Sequence, residues 1–479
     1  MKLSDPTLLE TRAFIAGEWQ TSARDFEVTD PATGAVLARV AECDRANAAR
    51  CIDLAATAQK AWAKRTAKDR AAILRRWHDL VIANVDDLAM ILMSEMGKPL
   101  AEARGEVLYG ASYIEWFAEE AKRVYGETIP GHQEDKRLLV LRQPVGVVAT
   151  ITPWNFPNAM IARKIAPALA AGCAIVAKPA AETPLSALAL AVLADRAGVP
   201  KGVLSILPST DAVGMGLEFC ENAGVRKISF TGSTNVGRIL MRQGADQIKK
   251  LSLELGGNAP FIVFEDADLE AAVDGLIVSK FRNAGQTCVC TNRIYVQSSI
   301  MTAFAAKLAE KVAALKVGSG HDSTSQIGPL ISEAALAKVE SHVADALGKG
   351  AVLVTGGVRR GGTFYAPTVL TGCTAEMRFA REETFGPVAA LTSFDTEEEV
   401  IHAANDTEFG LASYVYTRDL ARSWRMMEAL ECGMVGINTG LISTEVAPFG
   451  GIKQSGIGRE GSRHGIEDYL ERKYCCISL

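Results

Sequence analysis

Residues 145–178, VGVVATITPWNFPNAMIARKIAPALAAGCAIVAK, carry the fold in miniature. Val145 to Ile151 is a short β-rich run set off by Pro144, and a second such run, Leu138 to Leu141, lies on the other side of that proline. Pro157 opens a helix to Ala171 that Gly172 closes, and the apolar run Cys173 to Lys178 reads as a buried strand. The rhythm then repeats. A helix from Pro184 to Ala197 closes at Gly198; a strand Val203 to Leu207, a helix Ala212 to Asn222, a strand Lys227 to Phe230 and a helix opening after Ser233 follow. Strands alternating with helices imply an α/β fold with a doubly wound parallel sheet, whose ligands sit at the carboxyl ends of the strands.

Upstream, residues 44 to 124 carry long helical patterns such as KDRAAILRRWHDLVIANVDDLAMILMSE, which predict a helical covering layer. Downstream of Leu253-Glu254-Leu255-Gly256-Gly257-Asn258 a second α/β pattern begins with FIVF, a helix Asp268 to Asn283, the strand RIYV and a helix Thr302 to Leu315. Glycine-rich TGGVRRGGTF (355 to 364) has two arginines mid-turn and no helix start after it, so it reads as a hairpin loop and not as a phosphate cradle.

Composition narrows the function. At 479 residues the chain has room for about two or three domains. Fifty-one basic against 56 acidic residues give a net charge of −5, and no basic run tracks a phosphate backbone, so nucleic acid is not an expected partner. The longest apolar stretch, Ile165 to Ala177, is interrupted by Pro167 and Gly172 and falls short of the roughly 20 residues that span a bilayer. The start does not read as a signal peptide, and ten scattered cysteines form no disulfide-scaffold spacing, so a reducing cytoplasm is the expected location.

The fingerprint G-x-G-x-x-G is absent from the strand–helix junctions, but Phe230-Thr231-Gly232-Ser233-Thr234-Asn235-Val236-Gly237 follows a strand and frees N–H groups at a helix start, where a pyrophosphate is favoured. A capped tight turn explains the same residues. Cys288 in FRNAGQTCVCTNR is either a small core residue or a nucleophile, and no His or CxxC spacing supplies a metal or a Cys-His pair. Glu254 ends an apolar strand, where burial would raise its pKa and suit it to activating water; capping a helix is the alternative. The Asn155 amide can donate to an oxyanion or make a turn between Pro153 and Pro157. Lys178 is a snorkelling strand-end lysine or a ribose or phosphate ligand.

In company these residues say more. WNFP, AGCAIVAKPA, FTGST, LELGGN, GQTC, EETFGP and PFGGIKQSGIGRE occur in this order, and the whole chain resembles the aldehyde dehydrogenase superfamily. The resemblance implies a dinucleotide-binding domain over 1–124 and 146–256, a catalytic domain over 257–460, and a small oligomerisation element over 125–145 and 461–479 of a homodimer or homotetramer. It makes Cys288 the nucleophile, Glu254 the general base, and the Asn155 amide with the Cys288 N–H the oxyanion site. Thr152, Pro153, Trp154, Lys178, Ala181, Phe230, Gly232, Ser233 and Leu255 would bind the cofactor, with Glu383 and Phe385 at the nicotinamide end.

Finer matches, WNFPNAMIARK and NTGLISTEVAPFGG among them, resemble the succinate-semialdehyde dehydrogenase subfamily. There Arg163, Arg282 and Ser443 would bind the distal carboxylate of the substrate, with glutarate semialdehyde or another short ω-carboxyl aldehyde as the alternative and a non-catalytic relative as the reading from another class. Ala181 stands where many NAD-preferring relatives carry a Glu, so NADP is expected, with NAD also accepted, although the adjacent Glu182 can return a negative charge to the ribose. Cys290, two residues past Cys288, is a candidate redox partner for it.

Overall fold

The computed structural model describes all residues, 1–479. Its first sheet has a parallel centre of five strands, Leu204–Ile206, Ala174–Lys178, Val147–Ile151, Val225–Thr231 and Lys250–Glu254 in spatial order. Both margins are antiparallel: the hairpin Ala13–Ile15/Glu18–Gln20 at one edge and Gly456–Ile457 at the other. The strand order reverses between Val147–Ile151 and Val225–Thr231, which makes the crevice beyond those two strands the ligand-binding switch point of such a sheet.

Side chains alternate across the strands, so each face builds its own core. Val148, Ile175 and Ala177 join a 55-residue buried cluster with the helices Ala67–Ala83, Val85–Met96, Leu100–Glu120, Pro157–Ala171 and Pro184–Ala197. Val147, Ala149 and Val176 face the other way into a 22-residue cluster with Arg45–Lys64, Ala212–Glu221 and Thr234–Gly244. Polar handles fix the helices in register: Trp77, fully buried, donates from its indole to the Leu190 carbonyl at 3.1 Å, and Trp62 donates to that of Leu169 at 3.2 Å. No helix is long and apolar enough to cross a membrane.

A second, seven-stranded sheet runs Val352–Thr355, Thr368–Thr371, Val388–Phe394, Thr291–Gln297, Ala259–Val263, Ala412–Tyr416, Met434–Ile437, parallel except for the first strand, around its own 37-residue core. Residues 127–129, 136–144 and 470–478 form a separate three-stranded antiparallel sheet, with Leu470 opposite Pro144 and Ser478 opposite Lys136. The stretch 355 to 364 is a hairpin loop, pinned by an antiparallel bridge between Arg359 and Tyr365.

Two observations add to the reading of the sequence and one corrects it. The first sheet is mixed, because its margins are made by segments from both ends of the chain. Gly456–Ile457 pairs at the edge of that sheet beside Leu253 and Glu254. The helix expected to reach Asn283 stops at Phe281, because Asn283 and Ala284 take left-handed φ of 53° and 54° that a helix cannot continue.

Trp77→Ala opens a cavity where two covering helices meet and strands the Leu190 carbonyl. It should cost about 3–5 kcal/mol of stability, with Trp77→Phe costing less. Urea unfolding followed by circular dichroism checks this, and an unchanged midpoint for the alanine variant would refute the packing account.

Candidate active site

The two sheets meet end to end. Glu254 ends a strand of the first, Gly256 and Gly257 make the link, and Ala259 begins a strand of the second. Carboxyl ends of one sheet thus face amino ends of the other across a cavity of about 330 Å³. Its walls include Cys288 and Asn155, Arg163, Arg282 and Ser443, and Glu383 and Phe385.

Cys288 sits in the turn before strand Thr291–Gln297. The chain reaches it through the left-handed pair Asn283–Ala284 and then Gly285 at φ 75°, where the two non-glycine residues cost about 1–2 kcal/mol each. Dense bonding holds this shape. The Gln286 amide donates to the carbonyls of Asn283 and Pro329 at 3.1 and 3.3 Å and accepts from the Ile331 N–H at 2.9 Å. The Tyr414 hydroxyl donates to the Val289 carbonyl at 2.8 Å. Gly257 is required here, since a Cβ on it would lie 2.5 Å from the Cys288 carbonyl oxygen. Burial pushes the Cys288 thiol up to about 12; Arg163 pulls it down, Glu383 and Glu254 push it up, and Arg282 pulls it down again.

The Asn155 side chain donates one N–H to the Gln286 carbonyl at 3.0 Å, which fixes the amide with its nitrogen toward the thiol turn. Its carbonyl oxygen has no protein partner. Glu254, 3% exposed, is the one predicted catalytic residue off the cavity wall. It lies against Gly450, whose Cβ would come within 2.8 Å of Oε1, and Oε2 has no partner. Burial raises its pKa well above the carboxylate range, and the nearby Glu460 raises it further, against Arg163 and Lys164.

Glu460 and Lys164 were not singled out from the sequence, although both lie inside quoted motifs. Glu460 accepts from Arg163 Nε and from Lys164 Nζ, both at 2.5 Å, and all three side chains are buried. Arg163 therefore turns one edge to Glu460, and its guanidinium stacks 4.1 Å from the Phe449 ring centroid. Arg282 lies 5.4 Å over the Phe156 ring, and Ser443 faces the same cavity.

Other predicted groups fall into two sets. Pro153, Trp154, Gly232, Ser233, Leu255, Glu383 and Phe385 line the cavity; Thr152, Lys178, Ala181 and Phe230 lie beyond it, at or just past the ends of neighbouring strands. Trp154 and Phe385 meet edge to face with centroids 5.6 Å apart. Glu383 accepts from the Gly257 N–H at 3.2 Å, and burial raises it to about 7. Several features suit this end to a dinucleotide. Ser233 caps the helix Thr234–Gly244, Gly232 leaves no room for a side chain against the Phe230 ring, and Thr231 Oγ1 is buried without a partner. Lys178 Nζ donates only to the Pro179 carbonyl, at 3.2 Å, so its charge is unspent. Cys290 does not line the cavity; its thiol is turned onto the carbonyls of Lys280 and Thr291 at 3.5 and 3.4 Å.

Comparison with known proteins agrees with this arrangement. The sequence profile described as "Aldehyde dehydrogenase family" matches residues 19–475. The chain is 59% identical to a glutarate-semialdehyde dehydrogenase of Pseudomonas putida and 59% identical to an NADP(+) succinate-semialdehyde dehydrogenase of Escherichia coli, each match covering 100% of both chains. The crystal structure of succinate-semialdehyde dehydrogenase from Burkholderia pseudomallei superposes with a TM-score of 0.99 at 62% identity, over 100% of both chains.

The raised thiol gives a direct expectation for the ligand-free protein. Alkylation of Cys288 by iodoacetamide should climb about tenfold per pH unit between pH 7 and pH 10. A plateau near pH 8, read by mass spectrometry of the Cys288 peptide, would contradict the geometry.

Proposed function

The chain belongs to the aldehyde dehydrogenase family, and on that premise we propose that it oxidises succinate semialdehyde to succinate with NADP, NAD also being accepted, through Cys288. One observation carries the substrate reading: two guanidiniums, Arg163 and Arg282, and the Ser443 hydroxyl line the same cavity as the thiol. Planar bidentate donors in a water-poor pocket suit a carboxylate held away from the reacting carbon.

The Cys288 thiol gives its proton to solvent, and attack of the thiolate sulfur on the aldehyde carbon forms the C–S bond, breaks the C=O π bond and turns the carbonyl oxygen into an oxyanion. The second Asn155 N–H, the one not given to Gln286, is free to stabilise that charge without reorganising. A nicotinamide held by Glu383 and Phe385 would supply the hydride acceptor as the carbonyl re-forms, and Cys288 would then carry the acyl group as a thioester. Glu254 then rotates from its place against Gly450 toward the thioester and takes a proton from water. The hydroxide oxygen adds to the acyl carbon, the C–S bond breaks, and the carboxylic acid departs. Desolvation serves the hydrolytic end of this cycle, since a carboxyl with raised proton affinity is a stronger base than one in water.

For the cofactor, the reading rests on Lys178, held only by a backbone carbonyl, and on Ala181, which puts no carboxylate where a 2′-phosphate would sit. Glu383 and Phe385 would hold the nicotinamide end. Assembly as a homodimer or homotetramer is part of the proposal. It is supported by Val236, Ile239 and Met241, 39–49% exposed on one helix, with Ile248 nearby at 92%. Glutarate semialdehyde is the second reading, favoured by the equal identity to an enzyme named for it, and one methylene changes binding by only about 1–3 kcal/mol.

Arg282→Ala should raise KM for succinate semialdehyde by at least about tenfold while leaving KM for butanal within about twofold, as expected for loss of one charge-assisted contact. Equal losses on both aldehydes, measured by absorbance of reduced nicotinamide, would refute the clamp. A second expectation concerns pH. With Glu254 as base, kcat rises as pH rises through its elevated pKa. Glu460→Gln removes the like charge that raises it, so the acid limb of kcat should move to lower pH. A limb that stays or moves to higher pH would refute that coupling.

A further inference from the structure

The helix Leu100–Glu120 turns charged side chains inward beneath the cavity. Lys98, just ahead of it and 1% exposed, donates to Glu106 Oε2 at 2.6 Å and to the Asn155 carbonyl at 2.8 Å, with its ammonium 3.8 Å over the Phe156 ring. The other Glu106 oxygen accepts from the N–H groups of Asn158 and Ala159 at 2.9 and 3.2 Å, so this pair seats the helix that follows Asn155. One turn earlier Glu102 reaches across to the second unit, where its Oε2 accepts from the Asn283 N–H at 2.8 Å.

Asn283 is the first residue of the left-handed run, and Arg282 immediately precedes it. A fixed N–H at 283 fixes the peptide plane between the two residues and with it the direction in which the Arg282 side chain leaves the backbone. That guanidinium lies over the same Phe156 ring that Lys98 covers. The thiol turn, by contrast, has anchors of its own through Gln286 and Tyr414. Asn283 also holds itself through its side-chain amide, which donates to the Asn155 and Gln286 carbonyls at 3.0 and 3.2 Å, so loss of the Glu102 contact frees the 282–283 peptide plane while the thiol turn keeps its bonds.

We propose that Glu102 is a positioning residue for the carboxylate clamp: through the Asn283 N–H it aims Arg282, and so sets the preference for an aldehyde with a charged tail without touching substrate. This rests on the semialdehyde reading of the cavity given above. Glu102 also feels the charges of Lys98 and Arg282. Its charge alone would weaken the attraction of Arg282 for an anion, opposite in sign to the effect of aiming, so the two contributions separate experimentally.

The test compares succinate semialdehyde with butanal at saturating NADP for wild type, Glu102→Ala, Glu102→Gln and Glu102→Asp. Glu102→Ala should raise KM for succinate semialdehyde at least about tenfold and leave both KM and kcat for butanal within about twofold. Glu102→Gln keeps an acceptor for Asn283 and should hold KM within about twofold of wild type or below it. Glu102→Asp, which keeps the charge but draws the acceptor back by one carbon, should raise KM about threefold or more and covers the case in which the alanine variant does not fold. Equal losses on both aldehydes, or a KM for succinate semialdehyde unchanged by Ala and Asp, would overturn the proposal while the semialdehyde reading stands. A wild type that does not prefer the charged aldehyde would overturn that reading and this inference with it.

Discussion

Desolvation is the constraint that the rest of this structure serves. Where the carboxyl ends of one sheet face the amino ends of another, the half-buried Cys288 thiol and Arg282 line a cavity backed by the buried side chains of Glu254, Glu460 and Arg163. Burial makes ionisation of Cys288 and Glu254 costly, while Arg163, Lys164 and Arg282 offset part of that cost. A surface placement of the same residues would leave ordinary cysteine and ordinary glutamate. Holding them dry takes the two sheets and both faces of covering helices.

On the proposed reading, cofactor and substrate take two arms of one cavity. The switch point of the first sheet supplies a helix start capped by Ser233, an unspent ammonium at Lys178 and a crowded glycine at 232. The other arm is cationic and framed by aromatic rings, with Arg163 against Phe449 and Arg282 over Phe156. Rings of this kind keep a guanidinium flat and poorly hydrated, which favours a planar carboxylate over a neutral tail. Cys288 lines the same cavity.

Much of this was legible in the sequence because local chemistry wrote it. The helices Pro157–Ala171 and Pro184–Ala197 carry their own start and stop signals, Pro at the first turn and a left-handed glycine after the last, and both ends fall where those residues predict. Long-range pairings were illegible. The edge strands of the first sheet come from residues 13–20 and 456–457, short pieces with no period of their own. Glu460 meets Arg163 across 297 positions of chain, and no spacing rule links them. In KPLAEARGEV, Glu102 and Glu106 at i, i+4 look like a solvated helix face; only the packed structure shows Glu106 bonded to Lys98 and Glu102 to the Asn283 N–H beside Arg282. Glu254 was read as the base that activates water, and the structure seats it off the cavity wall against Gly450, where it feels Glu460, Arg163 and Lys164, charges distant in sequence.

The central claim, that Cys288 carries the acyl group and Glu254 releases it, is tested most directly by trapping. Glu254→Gln protein mixed with NADP and succinate semialdehyde, quenched in acid and digested, should yield a succinylated Cys288 peptide and a single burst of reduced nicotinamide equal to the active sites. Continued turnover at the wild-type rate with an unmodified Cys288 peptide would contradict the account.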